Sequence, residues 1–557
     1  MAPEKDSNGL DNFPFTVDGV DRVGKLPEKD KDTFSEDGER NKLAYCVTDI
    51  PPWYLCIILG IQHCLTAFGG IIAIPLILSQ GLCLQHDGLT QSHLISTIFF
   101  VSGLCTLLQG GTFTLLSPCM ALLSMPEWSC PAWTQNSSLV NVSSPEFIQV
   151  WQSRMQVLQG SIMVGSLFQV LVGFTGLIGL FMRFIGPLTI APTISLIGLS
   201  LFDSAGMNAG HHWGISAMCV VDSMFNCDLL SVPAPYSHAL PDIQQSQEVS
   251  HHQDVHISDS TCQWGVPTVS LAGVFGILAG VISSMIESVG DYHACARLSG
   301  APPPPRHAIN RGIGIEGIGC LLAGAWGTGN GTTSYSENVG ALGITKVGSR
   351  MVIVASGFLM IVMGMFGKIA AIFTTIPTPV IGGMFLVMFG VITAAGCSNL
   401  QYTDMNSSRN IFIFGFSMFT GLVIPNWILK NPTAIATGVV ELDQVLQVLL
   451  TTSMFVGGFF GFFLDNTIPG TKRERGITAW NTVHHKASDN TVESDDVYGL
   501  PFGISAGLSF VPWTKYVPFC PSHKPVVEDD TPSSVDSLDN KTEPNKDDSH
   551  IIVGVAL

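Results

Sequence analysis

"TTSYSENVGALGITK", residues 332–346, joins two long apolar runs. It is too short and too rich in glycine for an ordinary spanning helix, yet it lies where a surface loop has no place. Glu337 and Asn338 put a carboxylate and a carboxamide at membrane depth. Non-helical backbone is tolerated there only where protein buries it or where it lines a cavity. In transporters built from inverted repeats, broken helices point their N-termini at a midplane site. The stretch therefore reads as an extended piece, "TTSYS", followed by a half-helix, "NVGALGI", with Glu337 and Asn338 at the break. "QGGTFTLLSPCMALLS", residues 109–124, has the same character. Paired interrupted segments in corresponding positions of two halves point to a binding site. The run lacks the Gly-Lys-Ser/Thr ending of a phosphate loop.

The rest of the chain places these stretches in a membrane. Of 557 residues 46% are hydrophobic and 12% charged, and the mean hydropathy is +0.38. Soluble domains carry roughly 25% charged residues, so the composition implies an all-α polytopic membrane protein. The net charge of −18 is concentrated in two polar tails, both expected to be disordered. No basic stripe suggests nucleic acid, and no basic n-region precedes an apolar core, so a cleavable signal is not expected. Most of the fourteen cysteines lie in apolar runs and read as small buried hydrophobes rather than a disulfide framework. No C-x-x-C pair or H-E-x-x-H supports zinc. The terminal "IIVGVAL" reads as an unstructured end or as a ligand for a groove that captures C-termini.

About twelve membrane segments follow from a length of roughly 20 apolar residues: 53–78, 94–109, 110–124, 158–181, 185–202, 269–296, 310–327, 328–346, 350–373, 379–399, 410–429 and 444–466. With the N-terminus inside, strict alternation puts Arg183, Arg297, Arg306, Arg311, Lys346, Arg350, Arg409 and the "KRER" of 472–475 on the cytoplasmic side, as the positive-inside rule requires. Loop 125–155 then lies outside with its two sequons, Asn136 and Asn141; the sequons at Asn330 and Asn406 are expected to stay unmodified. Both termini are cytoplasmic on this scheme. One region resists it. Residues 218–261 contain no span and several histidines, of which His238, His251, His252 and His256 read as loop residues more readily than as metal ligands.

Within 269–296, Gly273, Gly276, Gly280, Ser283 and Ser284 allow close helix packing. Glu287 and Asp291 stand four apart, on one face. An ionisable residue in a span costs roughly 2.5–3.5 kcal/mol even on the lenient insertion scale. Two on one face suggest a cavity, a cation or a substrate; the alternative is a pair capping the helix at the aqueous boundary.

"ENVGALGITK" matches the signature of the nucleobase–ascorbate transporter family, and the chain resembles that family over about residues 45–215 and 262–520. Gln62-His63, "ESVGDYHACARLSGAPPPPRHAINRG" and "QYTDMNSSRN" carry the rest of the likeness, which is strongest to the mammalian sodium-dependent nucleobase branch. The resemblance implies a seven-plus-seven inverted repeat with core and gate domains and a short strand before the half-helix in segments three and ten. It implies that Glu287 and Glu337 bind substrate, with backbone groups at Phe113, Tyr335 and Ser336. Asp291 would couple a sodium ion bound near it, and Gln62, His63 and Asn338 would form a supporting polar network. Sodium is the coupling ion and no cofactor is implied. A plasma-membrane homodimer in the lipid bilayer is the expected setting.

A carboxylate at 337 accepts from the ring N–H groups of a nucleobase. Family members that resemble ascorbate carriers have proline there, which suits an anion at a bare helix N-terminus. Sodium-coupled symport of uracil, thymine, guanine, hypoxanthine or xanthine is the leading expectation. Ascorbate symport and a transport-deficient variant are the alternatives. An intramembrane protease is disfavoured, since "SVGD" lacks the first glycine of Gly-x-Gly-Asp. The chain departs from the family in two places. Residues 218–261 replace most of segments six and seven, and "CTLLQ" joins "GGTF" without the usual intervening loop. The expected organisation is a tail over 1–50, a first repeat over 51–217, an aberrant polar loop over 218–267, a second repeat over 268–470 and a cytoplasmic tail over 471–557.

Overall fold

The computed structural model describes residues 43–107, 114–135, 140–179, 184–226, 264–471, 473–476, 497–499, 517–518 and 520; at 222–226, 336, 337, 344 and 402 it describes the backbone alone. The fold is helical throughout. The helices are α1 (Trp53–Gly81), α2 (Gly88–Thr106), α3 (Leu116–Leu123), α4 (Pro145–Thr175), α5 (Pro187–Ser200), α6 (Phe202–Gly210), α7 (Trp213–Asn226), α8 (Leu271–Leu298), α9 (Arg306–Trp326), α10 (Ser336–Thr345), α11 (Arg350–Met365), α12 (Gly367–Phe373), α13 (Thr378–Ser398), α14 (Ser408–Lys430), α15 (Val440–Thr451) and α16 (Ser453–Thr467). Among the described residues six spans are long and apolar enough to cross a membrane, and two bent pairs raise this to eight. Of the twelve segments read from the sequence, the remainder are the more polar α2 and α9 and the half-helices α3 and α10. The span read at 350–373 is in fact α11 and α12, bent by 87°, and that at 444–466 is α15 and α16, bent by 82°.

Local chemistry sets several ends. Asp87 caps α2, accepting from the Thr90 N–H at 3.0 Å. Ser144 caps α4 with Pro145 at its first position, a pairing suited to a helix start. This start lies thirteen residues before the one read from hydropathy, because the first turns of α4 are polar. α4 and α9 both end on left-handed glycines, Gly176 and Gly327, where L side chains are strained.

The packing is reciprocal. α2 packs on α11 as α4 packs on α9, α1 packs on α11 as α8 packs on α4, and α1 touches α10 as α8 touches α3. Exchanging the first-half helix for its second-half counterpart reproduces each pair, as two related halves require. Facing glycines make both main seams. A Cβ on Gly173 of α4 would lie 2.3 Å from the backbone nitrogen of Gly314 on α9, and one on Gly103 of α2 would lie 2.6 Å from that of Ile361 on α11. No side chain there can rotate aside. Gly173→Val is therefore expected to destabilise the fold by about 1–3 kcal/mol, the range for overpacking. The thermal midpoint of detergent-solubilised protein measures it, and an unshifted midpoint would show that the seam can open.

Four observations bear on the sequence reading. Among the described residues no strand forms beyond isolated bridges. Residues before α10 are extended, with Thr332 in one such bridge, while the corresponding strand of segment three falls on 108–113, outside the described residues. α7 continues to Asn226, into the stretch read as loop; residues 227–263 lie outside the described residues. Cys83 and Cys130 form a disulfide across 47 positions, which corrects the expectation of cysteines without a framework. Finally, parts of both tails are ordered against the helical body. Ala44 and Tyr45 pair with Lys346 and Gly348, and Val497, Tyr498 and Pro518 contact the loops and ends of α9 and α11.

Candidate functional site

α8 carries the two carboxylates inward because its glycine and serine face packs closely on α3 and α4. Glu287 Oε2 accepts from Thr114 Oγ1 at 3.2 Å, tying α8 to the second residue before α3. Asp291 Oδ2 accepts from Ser334 Oγ at 2.7 Å, in the extended piece before α10. One carboxylate thus reaches each interrupted segment. Both line a cavity of about 410 Å³, together with Val339 on the first turn of α10, Ile194 on α5 and Asn399 after α13. Arg297, one further turn along α8, lines the same space.

The half-helix begins at Ser336, with Tyr335 extended as its N-cap, so the break stands one residue before Glu337. The first backbone N–H groups of a helix have no intrahelical partner. The backbone of Ser336, Glu337 and Asn338 supplies them here, next to Val339 at the cavity wall. The side chains of Ser336 and Glu337, and all of Phe113, lie outside the described residues. Asn338 Oδ1 is buried without a hydrogen bond, as is His63 Nδ1. Gln62 and His63 sit on α1 and do not line the cavity, and among the described residues no hydrogen bond joins them to Asn338. Asn141 is exposed; Asn136 lies outside the described residues.

One residue escaped the sequence reading. Glu316 on α9 has no solvent exposure. Ser284 Oγ donates to its Oε1 at 2.6 Å, Ser288 Oγ to its Oε2 at 2.7 Å, Tyr292 OH to Oε2 at 3.4 Å, and Thr333 Oγ1 to Oε1. Ser334 Oγ lies 3.2 Å from Ser288 Oγ. Each hydroxyl has one proton, so Thr333 donates to Glu316 while Ser334 donates to Asp291, and this double tie holds the extended piece at both acids. It fastens the extended piece to α8 and α9 and sets where the half-helix begins. The signal was present: "RGIGIEGIGC" puts one acid inside a span, the criterion that singled out Glu287.

The arrangement suits a small polar solute held between carboxylate acceptors and helix-start donors. A profile described as a permease family, for xanthine and uracil permeases, matches residues 55–235 and 236–430. The chain belongs to this permease family. Mus musculus solute carrier family 23 member 1 is 42% identical to the permease, covering 89% of this chain and 93% of the relative. Homo sapiens solute carrier family 23 member 2 is 43% identical, over 88% and 84%. Arabidopsis thaliana nucleobase-ascorbate transporter 1 is 31% identical, over 83% and 96%. The permease is thus a multi-pass membrane transporter, with a solute and a lipid bilayer as its partners. The transmembrane domain of a cyanobacterial bicarbonate transporter, BicA, aligns over 75% of this chain and 99% of its own, at 14% identity and a TM-score of 0.37.

Proposed function

We propose that this permease is a sodium-coupled symporter of nucleobases such as uracil or xanthine, working in the plasma membrane with both termini inside. The observation that carries the reading is the pair Glu287 and Asp291 on the cavity wall, beside the helix-start N–H groups of α10. A uracil-like ring presents N–H donors beside carbonyl acceptors, and the site offers the complement of each. Glu337 adds a further carboxylate at the same helix start. The bond from Ser334 holds Asp291, the acid nearest the proposed sodium ion.

A second reading is ascorbate symport. Arg297 lines the cavity and offers a cation to an anionic solute, and the name of the plant relatives joins ascorbate to nucleobases. Arg297 leans to ascorbate; the carboxylates lean to a nucleobase. Uptake of radiolabelled uracil and of ascorbate, with sodium present or replaced by choline, separates the two. Sodium-driven ascorbate uptake without uracil uptake would overturn the first reading.

Asp291 is expected to act on the ion more than on the solute. Asp291→Asn should raise the sodium concentration for half-maximal uptake several-fold, the loss of one charge-assisted bond, and raise the solute requirement less. An unaltered sodium dependence would reduce Asp291 to a helix-end residue.

Residues 218–261 hold no run of roughly 20 apolar residues, and the alignment to the mouse relative is longer than the stretch of this chain it uses, so that relative holds residues with no counterpart here. We therefore expect weaker uptake from this chain than from a version carrying a relative's segments six and seven at matched surface expression. Equal uptake would show that the gate works without them. Homodimer formation is part of the same proposal.

A further inference from the structure

After α16 the chain returns to α9 and α11. Arg311 Nη2 on α9 donates to the Tyr498 carbonyl at 2.7 Å, and the Arg350 guanidinium donates to the Val497 carbonyl. Tyr498 OH donates to the Pro302 carbonyl at 2.5 Å. Farther on, Asn310 Nδ2 donates to the Pro518 carbonyl at 3.0 Å. Pro302 belongs to the loop between α8 and α9, and its neighbours Ala301 and Pro303 line the cavity. The segment before α1 meets the same place from the other side. The Arg350 N–H donates to Val47 O at 3.4 Å, Ser349 Oγ to Asp49 O at 2.6 Å, and Gly348 N–H to Tyr45 O at 2.9 Å. Arg350 therefore touches both arms, one through its backbone and one through its side chain.

We propose that the C-terminal arm is a built-in brace of the cavity wall, in which Tyr498 and Arg350 are positioning residues that hold the α8–α9 loop against the helical body. The loop "SGAPPPP" cannot hold itself, because its four prolines supply no N–H donors. Its carbonyls need outside donors, and the Tyr498 phenol is one. Burial, with a smaller contribution from neighbouring Cys295 and opposed by Arg350, pushes that phenol up to about 12. It stays protonated, and a donor, throughout the physiological range. None of the described residues of the arm lines the cavity, so its loss should act on rate rather than on affinity.

Cys295 provides the readout, being half-buried near the phenol. The inference rests on the proposed function only where uptake is measured; alkylation and cross-linking require no transport. In inside-out vesicles of full-length protein, with Cys46 and Cys397 replaced by serine, Tyr498→Phe should speed maleimide labelling of Cys295 about fivefold, the effect of losing one hydrogen bond on local opening. Arg350→Gln should do the same. Where uptake is measurable, the maximal rate should fall in both variants while the half-saturating solute concentration stays within about twofold. A Pro302→Cys, Tyr498→Cys pair should be joined by a bifunctional thiol reagent that spans the length of the lost phenol, a gap wider than the roughly 4.4–6.8 Å between Cα atoms that a disulfide bridges. Unchanged labelling in both single variants, or failure of that reagent to join the pair in folded protein, would overturn the proposal.

Discussion

Glu316→Ala is expected to unfasten the site from within. The carboxylate receives bonds from Ser284, Ser288, Tyr292 and Thr333 in a place without solvent. Alanine leaves those hydroxyls facing a void. Some re-pair, since Ser288 and Thr333 already lie 2.7 Å apart, but two or more lose their acceptor. At about 1–3 kcal/mol for each buried group left unmade, the net loss is about 2–4 kcal/mol. Uptake should fall below detection, and the thermal midpoint should fall with it. Glu316→Gln tests the chemistry more finely: its amide nitrogen cannot accept, so one oxygen must serve donors now shared by two. It should fold, with a smaller loss of stability and a large loss of uptake. Wild-type uptake by the alanine variant would remove Glu316 from the site.

Glu287→Gln should show the opposite pattern, with uptake lost and stability kept. Glu287 is half-buried, lines the cavity and bonds Thr114 at 3.2 Å. Glutamine preserves that bond and the shape. It replaces a charged acceptor facing the solute with an amide. A bond to a charged partner is worth about 1.5–3 kcal/mol, so solute uptake should fall on the order of 10- to 100-fold at subsaturating concentration. The thermal midpoint should not move. Unchanged uptake would place Glu287 outside the solute path, and a matching loss of stability would make it a structural residue.

The membrane character, the break before α10 and the Glu287–Asp291 pair were all legible in the sequence. Each is a departure from a simple local rule: charge where lipid forbids it, or glycine where a helix should be. The polar first turns of α4 escaped because hydropathy sees apolar length and not the Ser144-Pro145 start. Glu316 escaped for a different reason. Its segment reads as a span by length although it is more polar than most, and only the structure shows that Ser284, read as a packing residue, and Ser288 are its donors. Cys83 and Cys130 stand at the ends of apolar runs, and nothing local pairs them. The docked parts of the tails are acidic and proline-rich around short contacts, a composition that reads as disorder even where a few residues are held.

The facing-glycine seams have a mechanical consequence. Most helix contacts can slip, because side chains exchange rotamers and fill the new shape. Backbone against backbone has no such freedom, so α2 with α11 and α4 with α9 must travel as welded pairs. Whatever displacement carries a solute from one side to the other has to be absorbed elsewhere. The chain supplies two joints for it, the sharp turns at Phe366 and Thr452. Stiffening either joint should arrest the cycle without touching a single group that meets the solute.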